Sequence, residues 1–262
     1  MFYPADPRHL ARDIEGYLAE VAVDAAPERV SCVVCPHAGY LYSGLSAAHS
    51  YARIRGMRPA RVVLLGCSHR MLFDGPAICD EGGFDTPLGA LSIDETFAKR
   101  LVKRFGRGPV EAHIPEHSLE VQLPFIRVAL GDVPIVPVLF GAECGPWHAE
   151  FGRELAGMLD EGDLVIASTD LSHYLTEEEA NEIDQATLAG VLRQDCAVMP
   201  EAFKARRYAM CGAPAVLAAM ACAQARNAHD WHLLDYRTSF AVTGDRSRVV
   251  GYGAISMERA VA

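Results

Sequence analysis

The sequence predicts one α/β domain built on a mixed sheet. Short apolar, β-branched runs alternate with helix patterns, and the last two strand patterns, Leu233–Val242 and Ser247–Met257, are joined by the hairpin-type connection at 243–246. No repeat at a fixed period and no low-complexity linker divides the 262 residues, so residues 1–262 are taken as a single domain. That length can bury a substantial core.

The elements follow in order. Asp6 and Pro7 introduce an amphipathic helix from about Arg8 to Val21. Val30 to Cys35 is a buried strand that stops at Pro36, and Ser43 is placed as the cap of a helix through Leu45–Ile54. Arg61–Cys67 is a second strand and Ala77–Cys79 a short one; Asp94 is a good N-cap for a helix over Glu95–Phe105. His113–Leu130 reads as one helix with Pro124 inside it, which removes a backbone donor and kinks it, and Glu116 and Glu120 then share a face. Val133–Phe140 is a buried strand, Trp147–Leu159 a helix and Leu164–Thr169 another strand. Thr176 and Glu179 form a capping box for a helix over Glu177–Leu192, and Met210–Ala225, apolar on most sides, is a buried helix.

Composition excludes several classes of function. Half the residues are hydrophobic, 22% are charged and the formal net charge is −10, with no run of five or six like charges. Nucleic acid and anionic membranes would be repelled. No apolar run approaches the ~18 residues of a membrane span, and residues 1–18 lack the basic and apolar blocks of a signal peptide. A cytoplasmic location is expected. Cys32 and Cys35 form a C-x-x-C, but within a strand i and i+3 point to opposite faces, so they are read as buried thiols rather than a redox or zinc pair.

Three strands hand over to a histidine: His37 after the first, His69 after the second, and His173 after Leu164–Thr169. Ligands collect beyond the carboxyl ends of the strands in open α/β sheets. If these strands are parallel neighbours, the imidazoles converge, and at least two of the three are expected to share a site. Imidazole is the commonest metal ligand and suits proton transfer near neutrality. Asp170, three residues before His173, is an orienting group, a ligand or simply a loop cap. Cys211 precedes Gly212-Ala213-Pro214 at a helix start, where the macrodipole favours a thiolate; the plain alternative is a buried small residue. Glu116, His117 and Tyr40 are placed as pocket-lining, with a surface acid–imidazole pair as the alternative for the first two. Phosphate-binding glycine motifs and a G-x-S-x-G elbow are absent. His9, His49, His148, His229 and His232 lack the strand-end placement and are left as structural or surface residues.

CPHAGYLYSG at 35–44, GCSH at 66–69, EHSLEVQLPFI at 116–126, STDLSHY at 168–174, CGAPAV at 211–216 and VVGYGAIS at 249–256 together resemble the Memo family, whose prokaryotic members are identified as protein B of the Memo–radical-SAM system (AmmeMemoRadiSam). The resemblance is collinear from Phe2 onward. It implies an α/β/α sandwich with a mixed, largely parallel central sheet, like that of the class III extradiol dioxygenases. Those enzymes hold non-haem iron with two histidines and a carboxylate. The resemblance carries the metal-ligand role to His37 and His69 and the acid/base role to His173, and it puts Cys211 where the carboxylate stands. It also implies a redox-active iron or copper ion, with zinc as a further option, and a small-molecule substrate or dioxygen. Radical-SAM system proteins are the implied partners.

Three functions remain open. One is a redox metalloenzyme in which His37, His69 and Cys211 hold the ion, with His173 and Asp170 beside an open coordination position. The second is a non-catalytic module that binds a protein or peptide on the same scaffold, for which loss of metal would leave partner capture intact. The third is a zinc hydrolase, which would work without oxygen.

Overall fold

Four apolar runs pair in parallel to form the centre of the computed structural model, which describes residues 2–22 and 27–260. The strands are β1 (Val30–Cys35), β2 (Val62–Cys67), β3 (Pro76–Ile78), β4 (Gly83–Phe84), β5 (Leu91–Ser92), β6 (Ile135–Phe140), β7 (Leu164–Ser168), β8 (His173–Leu175), β9 (Asp230–Thr238) and β10 (Val249–Glu258). The main sheet runs β3-β6-β2-β7-β1-β10-β8, with β9 also on β10. The neighbours β6, β2, β7 and β1 are parallel, and the pairs of β3 with β6 and of β10 with β1, β8 and β9 are antiparallel. Every residue of the four parallel strands is buried, as expected of a parallel sheet covered on both faces. This is a mixed α/β fold with a largely parallel central sheet.

The helices are α1 (Pro7–Glu20), α2 (Tyr40–Ile54), α3 (Glu95–Phe105), α4 (Leu123–Leu130), α5 (Pro146–Ala156), α6 (Glu177–Leu192), α7 (Met199–Lys204), α8 (Ala213–Ala225) and α9 (Phe240–Thr243). The two cysteines of β1 show which helices cover which face. Cys32 Sγ lies 3.6 Å from the Ala219 carbonyl of α8, whereas Cys35 meets Ser50 of α2. Both are free and fully buried, one on each face. Residues 213–223 of α8 are all buried because α5 packs on their far side. Among the described residues no helix is long and apolar enough to cross a membrane.

Local chemistry sets the helix ends. Asp6 and Asp94 cap α1 and α3 by accepting from the N–H groups of His9 and Phe97, and Thr176 and Glu179 close the capping box of α6. Three expectations need correction. α2 starts at Tyr40, not near Ser43: the Tyr40 N–H is taken by the Phe2 carbonyl at 2.8 Å, and Ser43 Oγ turns back to the Ala38 carbonyl. The stretch 113–130 is not one kinked helix. It has short 3-10 turns at Val110–His113 and Glu120–Gln122, and α4 begins at Leu123 with Pro124 in its first turn, where a missing N–H costs nothing. Glu116 takes the N–H groups of His117 and Ser118 and so breaks the helix before it begins. At the other end of the chain, β9 stops at Thr238 and the single turn of α9 precedes β10.

A buried ion pair fastens α2 to β10. Arg53 forks onto both carboxylate oxygens of Glu258 at 2.7 and 2.6 Å, and Ser256 donates to the same carboxylate. Burial pushes the Glu258 carboxyl up, but the Arg53 fork and the Ser256 hydroxyl outweigh it and hold the group below its ordinary value. A carboxyl depressed in the folded state stabilises above its unfolded pKa of about 4.3, and that contribution fades as the pH falls through the folded value. Urea unfolding from pH 7 to 3 is expected to show this acid-dependent loss. Glu258→Gln should flatten it and cost on the order of 3 kcal/mol at pH 7.

Candidate metal centre

The carboxyl ends of β1, β7 and β2 lie side by side, with β7 in the middle and Cys35 paired to Ser168. The loops that leave them carry His37, Asp170 and His69. Two glycines let further segments come close. A Cβ on Gly66 would lie 2.5 Å from Leu119 Cδ2 and 2.8 Å from Ser118 Oγ, so a side chain there would force Leu119 and Ser118 of the 116–122 segment to shift off the end of β2. A Cβ on Gly212 would lie 2.4 Å from the Ser168 carbonyl oxygen, so only glycine seats Cys211 against the end of β7. Cys211 N–H then reaches the Asp170 carbonyl at 3.1 Å.

These approaches bring His37, Cys67, His69 and Cys211 together, with one donor atom from each inside a 4.8 Å group. His37 Nε2 lies 3.2 Å from Cys211 Sγ, and His69 Nε2 lies 3.6 Å from Cys67 Sγ. The two rings meet nearly at right angles, with centroids 5.2 Å apart.

Hydrogen bonding determines which nitrogen of each ring faces inward. Tyr51 donates to Gln122 Oε1 at 2.9 Å, which leaves Gln122 Nε2 to donate to the Pro36 carbonyl and to Ser168 Oγ. The single proton of the Ser168 hydroxyl goes to the Ser118 carbonyl at 2.5 Å. Toward His37 Nδ1, at 2.9 Å, Ser168 can therefore only accept. His37 carries its proton on Nδ1 and points Nε2 at the sulfur. His69 is set the same way by a different group: Glu116 Oε1 lies 2.9 Å from its Nδ1, and Glu116 Oε2 accepts the His69 backbone N–H at 2.5 Å. Glu116 Oε1 also takes two backbone N–H groups, so its proximity to His69 and His117 reflects a hydrogen-bond hub rather than a second ion site.

The charges follow from these contacts. Burial opposes ionisation of Glu116, but its bonds to His69 and to backbone N–H groups hold it at about 2. His69 is raised to about 10, first by its hydrogen bond to Cys211 and then by Glu116. Burial pushes the Cys211 thiol up, yet the Cys67 hydrogen bond and the His37 and His69 rings bring it well below its usual range, which favours the thiolate. The Asp170 N–H donates to that sulfur at 3.2 Å. His117 is lowered to about 4 by burial and by His37 and stays neutral. It stacks on His69 at 4.7 Å, with the Phe2 ring on its other side at 4.4 Å. Imidazole nitrogen and thiolate sulfur form a donor set that suits zinc, copper or iron, so the residues present fit a bound transition metal.

The sequence profile described as "Memo-like protein" matches residues 1–256. A MEMO1 family protein of Methanopyrus kandleri is 36% identical over 272 residues, covering 98% of this chain and 96% of its own. The chain belongs to the Memo family. MEMO1 family proteins of Methanobrevibacter smithii and Aquifex aeolicus are each 34% identical, over 97% and 96% of this chain and 95% and 94% of their own. The crystal structure of an uncharacterized protein from Escherichia coli K12 is similar in fold, with a TM-score of 0.54 at 17% identity over 87% of this chain and 100% of that one.

In this Memo family member, the residues singled out from sequence fall into three groups. His37, His69 and Cys211 meet. Asp170 and His173 flank them: Asp170 is 4% exposed and accepts the His37 N–H at 2.7 Å, while His173 is exposed on the wall of a cavity of about 830 Å³ that it shares with Cys67 and Cys211. Glu116 and His117 lie behind His69. Tyr40 is placed differently from the expectation: it is 3% exposed, donates to the Val121 carbonyl, packs on Phe125 and does not line this cavity. Sequence reasoning missed Cys67, Ser168 and Gln122. The signal for Cys67 was present, since it ends a strand two residues before His69. Ser168 and Gln122 could be found only from three-dimensional hydrogen bonding. Of the histidines set aside, His148 bonds Gly145 at the start of α5 and His49 lies 3.7 Å from Asp235.

Gly212→Ala is expected to push the Cys211 loop off β7. Denaturation should show a loss of about 1–3 kcal/mol, and alkylation of Cys211 by iodoacetamide should be faster than in wild type.

Proposed function

We propose that this Memo family member is a metal-dependent redox enzyme, with an iron or copper ion held by His37, His69 and Cys211 and a small molecule or dioxygen admitted through the adjoining cavity. One observation supports this above the others: both imidazoles are tied down at Nδ1 and turn Nε2 toward the sulfurs. Such outer partners fix tautomer and orientation at metal sites. A bound iron or copper ion would supply electron transfer and polarisation of a ligand, and the soft thiolate favours such ions over magnesium or calcium.

The chain's own residues supply the rest. Asp170 anchors the His37 backbone and donates its own N–H to Cys211, which keeps nitrogen and sulfur in register. His173, on the cavity wall, is the proton-transfer group; positioned acid/base help of this kind gives ~10²–10⁴-fold in rate. Leu171, Phe140 and Pro214 make part of the wall apolar, which suits an organic substrate.

Metal analysis of protein purified without oxygen is the test. Wild type and His173→Ala are expected to carry about one iron or copper per chain, and His37→Ala and Cys211→Ser to lose or exchange it. A metal-free wild type, or one filled only with zinc that turns over without oxygen, would overturn the proposal. Ser168→Ala, which frees the His37 ring, should weaken metal binding roughly 10–100-fold in chelator competition.

A further inference from the structure

The ligand set proposed above leaves one sulfur without a role. Cys67 closes β2, two residues before His69, and is 6% exposed. Its sulfur is 3.6 Å from His69 Nε2 and hydrogen-bonded to Cys211, and it belongs to the same 4.8 Å group as the other three donors. Bonds of about 2.3 Å to sulfur and 2.0–2.1 Å to nitrogen, spread tetrahedrally, separate N and S donors by roughly 3.5 Å. The His37–Cys211 and His69–Cys67 separations, 3.2 and 3.6 Å, bracket that value.

Cys67 also differs from the structural thiols. Cys32 and Cys222 meet between the sheet and α8, and Cys35 faces α2. Cys67 instead looks into the cavity beside Cys211. Its backbone is held in place by Ser118 Oγ, which donates to its carbonyl at 2.7 Å. The group of four therefore has two sides: the imidazoles back onto Ser168 and Glu116, and the sulfurs face the cavity.

We propose that Cys67 is a fourth protein donor, so that this chain holds its ion with two imidazoles and two sulfurs rather than with three donors and an open position. The inference rests on the metal reading above and narrows it. On ligation the Cys67 thiol releases its proton to solvent and the sulfur keeps the electron pair that forms the bond. A second sulfur shifts selectivity further toward zinc, cobalt, copper(I) or thiolate-bound iron and away from oxygen-seeking cations. Because Cys67 faces the cavity, it stands on the side from which an incoming molecule would approach the bound ion.

The probe is cobalt(II), titrated into the reduced, metal-free protein without oxygen. Wild type is expected to bind one ion with a sulfur-to-cobalt charge-transfer band, and Cys67→Ala and Cys67→Ser should each halve that band while still binding. A full-strength band in both variants would remove Cys67 from the set and leave the His37–His69–Cys211 reading standing. No cobalt bound by folded wild type would remove both. A second measurement needs no variant: cobalt should shield Cys67 and Cys211 together from iodoacetamide, as read by peptide mass. Shielding of Cys211 alone would overturn the proposal.

Discussion

A hydroxyl has one proton, and at Ser168 it is committed to the Ser118 carbonyl. Much of the centre depends on that constraint. Ser168 ends β7, the strand between β1 and β2, so its oxygen sits where the loops of both neighbours pass. With its own proton used and Gln122 donating to it, it presents only an acceptor to His37. The buried chain from Tyr51 through Gln122 to Ser168 links α2, the 116–122 segment and β7. A disturbance in the core beneath α2 would therefore reach the imidazole without touching it. Buried networks of this kind are rigid when every member is satisfied and costly when one is removed.

Much of the fold was legible because the strongest signals were local. Largely apolar strands, the caps at Asp6, Asp94 and Thr176 and the opposite-facing Cys32 and Cys35 all depend on residues close in sequence. The 113–130 stretch was misread because its helical spacing competes with a side chain that takes its own backbone: Glu116 consumes the N–H groups of His117 and Ser118. The start of α2 was misplaced because it depends on Phe2, far away in sequence.

The site was legible only in part. Histidines that follow strand ends are visible in sequence, but their meeting depends on β1, β7 and β2 being neighbours, a fact of sheet order. Tyr40 lies in a motif with His37, yet a helix start turns it into the core. Cys67 was passed over because a cysteine that ends an apolar strand looks like any other buried thiol. What separates it from Cys32 and Cys35 is the sulfur of Cys211, which comes from a segment 144 positions later.

His37 and His69 look alike, both on loops that leave parallel strands, but they are backed by different groups. A neutral hydroxyl supports one and an ionised carboxylate the other. A carboxylate behind an imidazole raises its basicity as a ligand, so the two rings differ in donor strength. The pair is electronically lopsided, and in the proposed metal site His69 would be the stronger of the two donors.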